Sequence, residues 1–157
     1  MPLYFAYGSN MSAPQMRARC PGATAIGPYL LPHWRFIITS RRTASIVREK
    51  NASVYGVLWR CTPEHQHTLD RFEGVRIGNY RRRIVNVIDD EGVRRNSIVY
   101  IGANRNRGIG RADYLLTAVL PGARFHELPH DYIEELQSWL PRRIIEPHSR
   151  RYIGRKK

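Results

Sequence analysis

Between residues 29 and 101 the chain is a succession of β-prone runs that only one strong helix start interrupts. Residues 29–40 are apolar and aromatic around Phe36-Ile37-Ile38-Thr39, and residues 54–61 form a second strongly β-prone run. Residues 82–88 and 97–101 follow, flanking Asp89-Asp90-Glu91-Gly92, a turn sequence suited to a hairpin. Between the second and third runs stands Thr62-Pro63-Glu64. It combines a cap, a proline at the first helical position and an acid at the positive end of the helix dipole. This order lacks the regular strand–helix alternation of a doubly wound sheet. It predicts an α+β domain with a mostly antiparallel or mixed sheet.

The remaining helices belong to the two ends. A buried strand over residues 3–7 precedes a helix capped near Ser12, with Pro14 in its first turn, that runs to about Cys20 and stops at Pro21-Gly22. Near the C-terminus, Ile133, Leu136 and Leu140 recur at helical spacing. The helix begun at Thr62 is expected to carry Leu69 and Phe72 inward and to end near Glu73-Gly74. A length of 157 residues suffices for one sizeable core. Residues 1–140 are therefore read as one domain. Residues 141–157 form a basic tail, with seven Lys and Arg against Glu146 alone.

Lys and Arg number 26 against 13 Asp and Glu, a net charge of +13. Such a field attracts nucleic acid, other polyanions or anionic ligands. No apolar run approaches the roughly 20 residues of a membrane helix, and no secretory leader pattern is recognised at the N-terminus. Cys20 and Cys61 are too isolated to form a disulfide framework or a metal motif. Ordinary buried thiols and a cytoplasmic location are expected.

Tyr4-Phe5-Ala6-Tyr7 runs directly into Gly8-Ser9-Asn10. A strand that ends in such a turn exposes backbone N–H groups able to hold a carboxylate or an oxyanion, and glycine lets that backbone approach a ligand closely. Glu73 lies at the end of the predicted helix. Burial there raises a carboxyl pKa toward neutrality, where the group can both take and return a proton.

The Tyr7-Gly8-Ser9-Asn10 turn, with Leu69-Asp70-Arg71-Phe72-Glu73-Gly74-Val75 and Gly78-Asn79-Tyr80 downstream, resembles the gamma-glutamylcyclotransferase, or AIG2-like, family over most of the chain. That resemblance implies a small closed mixed β-barrel with helices packed outside. It implies Glu73 as the catalytic acid/base and Tyr7, Gly8, Ser9 and Asn10 as the cradle of a γ-glutamyl group. Tyr80, and Tyr132 within Leu128-Pro129-His130-Asp131-Tyr132, match pocket tyrosines. The implied reaction closes a small γ-glutamyl substrate onto its own α-amine, releasing 5-oxoproline and a free amine, with no metal and no cofactor. Three arginines, Arg81, Arg82 and Arg83, follow Tyr80 where the family selects its substrate. Any of them turned into the pocket would favour an anionic leaving half. The competing reading is a non-catalytic nucleic-acid or polyanion binder on the same fold, acting through these arginines and the tail. Oligomeric state is left open.

Overall fold

The computed structural model describes residues 2–141, so the basic tail lies outside the described residues except for Pro141. Five strands form a closed barrel in the order β1-β3-β2-β4-β5: β1 (Leu3–Ala6), β2 (Thr24–Ile38), β3 (Ala44–Arg60), β4 (Tyr80–Ile88) and β5 (Arg94–Gly102). Neighbours pair antiparallel except β1 and β5, which close the ring in parallel at Tyr4 and Ile98. The expected small closed mixed barrel is the observed architecture. Closure removes the unpaired sheet edges that would otherwise invite association.

β2 and β3 are much longer than the apolar runs suggest. β3 begins at Ala44 and includes Arg48-Glu49-Lys50-Asn51, a polar stretch that breaks the β pattern in sequence. Opposite it, the register shifts between Pro32 and Trp34, and both His33 and Asn51 take positive φ. This irregularity bends the long hairpin around the barrel. Phe36, Ile38, Ile46, Val54, Leu58, Val87 and Val99 fill the core.

Two helices behave as their start signals require. In α1 (Ala13–Arg19) the Ser12 side chain accepts a hydrogen bond from Gln15 N. In α2 (Pro63–Phe72) Thr62 accepts from His65 N while the His65 ring accepts from Thr62 N, so His65 closes a capping box. A third helical segment has no counterpart in the sequence reading. It comprises α3 (Ala112–Tyr114), a π-helical turn (Leu115–Val119) and α4 (Leu120–Phe125). α5 (His130–Gln137) follows and packs Ile133 and Leu136 onto the core. Gly122 of α4 lies against the turn that precedes α1. A Cβ there would stand 2.7 Å from the Met11 carbonyl carbon and 2.8 Å from Ser12 N, so only glycine permits this contact. Among the described residues no helix is long and apolar enough to cross a membrane.

Candidate active site

Residue 73 is placed by the way α2 ends. Gly74 takes φ 62°, its N–H bonds to Arg71 O, and Val75 N–H bonds back to Asp70 O. This is a Schellman stop with glycine at the left-handed position. Helical spacing sets Glu73 four residues after Leu69, so the two share a face. Leu69 is fully buried, and Glu73 lines a cavity of about 300 Å³. Phe72, expected to point inward, instead lies 57% exposed on the cavity rim. One position off the Leu69–Glu73 stripe, it is covered instead by the Arg19 guanidinium, 4.2 Å from the ring centre.

β1 delivers the opposite wall. Its last residue leads into Tyr7 and a single 3₁₀ turn, Ser9–Met11, and Tyr7, Gly8, Ser9 and Asn10 all line the cavity. Met11 N–H and Ser12 N–H bond back to the Gly8 and Ser9 carbonyls, and Ser9 N–H donates to the Tyr114 hydroxyl at 3.2 Å. Asn10 is buried and its carboxamide is a hub. Its Nδ2 donates to Tyr4 Oη at 3.1 Å, and its Oδ1 accepts from Gln15 Nε2 at 2.8 Å and Arg19 at 3.1 Å. The turn is therefore fixed from behind by side chains of α1 and β1.

Tyrosines surround the carboxyl. Tyr7 donates to Tyr100 O and Tyr80 donates to Ala44 O, each at 2.5 Å. Burial raises the pKa of Tyr4, Tyr7, Tyr80 and Tyr114, and the nearby Glu73 charge adds to the rise in each; Tyr80 reaches about 12. All four remain neutral donors at physiological pH. Burial raises Glu73 itself to about 7, opposed by the positive charge of Arg19.

The cavity thus gathers Glu73, Tyr7, Gly8, Ser9, Asn10 and Tyr80 from three separate segments of sequence. Tyr132 is not brought there. It is buried in the first turn of α5 with its ring 5.1 Å from Tyr55 on β3, outside the cavity lining. Arg81, Arg82 and Arg83 also line no part of the cavity. Arg82 reaches Asp70 at 3.4 Å, Arg83 lies 5.7 Å from the Trp34 ring centre, and all three border a neighbouring groove with Ile84 and Ile98. Sequence reasoning missed Tyr4, Arg19, Arg42, Arg111 and Tyr114. Tyr114 had one usable signal: Leu115, Ala118 and Val119 follow it at helical spacing.

Residues 53–136 match the AIG2-like family. The chain is 27% identical over 163 residues to gamma-glutamylcyclotransferase of Homo sapiens, which covers 98% of this chain and 82% of that protein. It is 28% identical over 149 residues to the Mus musculus protein of the same name, covering 88% and 79%. A solved structure described as gamma-glutamyl cyclotransferase superposes with a TM-score of 0.84 at 25% identity, covering 97% of each chain. By family match, relatives and fold together, the chain belongs to the AIG2-like, gamma-glutamylcyclotransferase-type family of enzymes.

Proposed function

We propose that this protein is a gamma-glutamyl cyclotransferase that converts a γ-glutamyl amino acid or amine to 5-oxoproline and a free amine, with Glu73 as the general acid/base. The observation that carries this reading is a carboxyl held near neutrality in the same cavity as the Tyr7–Asn10 turn. In the first step Glu73 takes a proton from the substrate α-ammonium, freeing the nitrogen lone pair. That nitrogen bonds to the γ-carbonyl carbon, closing a five-membered ring and placing negative charge on the carbonyl oxygen. In this reading the Gly8 and Asn10 amides donate to that oxygen, and Tyr114, which accepts from Ser9 N–H, keeps its own proton to donate as well. As the oxyanion collapses, the bond to the leaving nitrogen breaks, Glu73 returns the first proton to that nitrogen, and the freed carboxylate passes the second proton of the ring nitrogen to the departing amine, which leaves as an ammonium beside a neutral lactam. The attacker is tethered, so positioning supplies much of the acceleration. A carboxyl near 7 suits both halves of this shuttle.

The measurement is 5-oxoproline release from a panel of γ-glutamyl amino acids and amines by the wild type and by Glu73→Gln. Release that falls by at least about 100-fold in the folded variant supports the assignment. Undiminished turnover removes Glu73 from the chemistry. The polyanion-binding reading rests on charge alone, and part of that charge is already engaged: Arg82 with Asp70, Arg35 with Glu49, and Arg48 over Trp34.

A further inference from the structure

The cavity has a closed floor and a charged mouth. Tyr4, Tyr7 and Asn10 at the floor are buried, whereas Arg42, Thr43, Asn79 and Arg111 are exposed. Across Thr43, Asn79 and Tyr80, the cavity shares a wall with a second hollow of about 580 Å³ that Arg41 and Asn104 also line. A cavity of about 300 Å³ lies at the small end of ligand sites. A γ-glutamyl group on the floor therefore sends the leaving half out through the mouth.

Charge at that mouth is one-sided. Three arginines line the cavity, and its one carboxylate is Glu73. Arg19 is tied to Asn10 and Phe72. Among the described residues Arg111 pairs only with the exposed Asp113, at 3.0 Å, and Arg42 makes no ion pair. Arg42 also takes φ 66° in the tight β2–β3 turn, where its N–H bonds to Thr39 O, so the backbone that carries it is held. A γ-glutamyl group brings one carboxylate and one amine and leaves Arg42 unmatched and Arg111 with its exposed partner Asp113 alone. We propose, resting on the cyclotransferase reading above, that the enzyme selects substrates whose leaving half is anionic, and that Arg42, seconded by Arg111, is the residue that makes this selection. The three arginines after Tyr80 take no part in it.

The experiment compares kcat/KM for γ-glutamyl ethylamide, γ-glutamylalanine and γ-glutamylglutamate, whose leaving halves carry zero, one and two carboxylates. Each added carboxylate is expected to raise kcat/KM about two- to fivefold, the size of one solvent-screened charge contact. Added salt should compress that ratio. Arg42→Gln should lower the glutamate-to-ethylamide ratio by about fivefold, and Arg42→Glu should lower it further and favour γ-glutamyllysine. A wild-type ratio near one overturns the proposal, as does a ratio unmoved in Arg42→Glu whose circular dichroism matches wild type. Absence of release from every member would instead sink the cyclisation reading itself, and this selection with it.

Discussion

Replacing Glu73 by Gln tests the carboxyl's environment separately from its chemistry. Burial lifts the Glu73 pKa from 4.5 to about 7, so the folded protein holds this proton more tightly than the unfolded chain does. Stability from that proton is fully present below about pH 4.5 and is lost as pH rises to about 7. Taken whole, the difference corresponds to about 3 kcal/mol above neutrality. Residue 73 retains solvent contact, which reduces the expected effect to about 1–2 kcal/mol. Gln keeps the shape and carries no charge at any pH. Thermal unfolding of both proteins, followed by circular dichroism from pH 4.5 to 8.5, should give superimposable midpoints at the acid end. At pH 8 the variant should melt about 2–8 °C higher, since each kcal/mol moves a chain of this size by about 2–4 °C. A gap that does not change with pH, or a variant less stable at pH 8, would refute the argument that Glu73 is penalised by burial. The same variant should be inactive, so stability and activity would move in opposite directions.

Further outcomes follow from the same contacts. Arg19→Gln removes the charge that favours ionised Glu73, so the acidic limb of the kcat/KM–pH profile should move upward from about 7; a limb that stays or falls contradicts that coupling. Asn10→Ala strips a buried hub of its bonds to Tyr4, Gln15 and Arg19 and should cost about 1–3 kcal/mol in urea unfolding, along with activity. Tyr114→Phe should retain the fold and lower kcat about 100- to 1000-fold, since it deletes the partner of Ser9 N–H and a donor to the oxyanion. Tyr132→Phe should change kcat/KM less than twofold, because that hydroxyl lies outside the cavity lining; a larger loss would return Tyr132 to the site.

What the sequence disclosed, and what it concealed, divides along the range of the interactions. Caps, stops and turns are written in neighbouring residues, so Ser12, Thr62-Pro63 and the Gly74 stop could be located from the chain alone, and with them the end of α2 that presents Glu73. The polar start of β3 was hidden because Arg48 to Asn51 break the alternation by which strands are read, while the long hairpin's pairing overrides that local signal. Residues 112–125 were hidden for a different reason: Pro121-Gly122 reads as a break. In the fold, Pro121 sits in the first turn of α4, where its missing N–H is not needed, directly after a π-helical turn that redirects the hydrogen bonds. Gly122 supplies the close approach to Met11 and Ser12. The apparent helix breakers are thus the residues that let this segment dock on the site turn and bring Tyr114 to Ser9. Tyr132 illustrates the converse, because a motif can place a tyrosine on a helix while only packing decides which wall it meets, here Tyr55 rather than the cavity. Of Arg81, Arg82 and Arg83 the alternation along β4 predicts two faces, but neither face of that segment lines the cavity. The selectivity proposed above rests instead on a cationic turn the motif did not flag, at Arg42, where the chain leaves β2 and re-enters β3 beside the mouth.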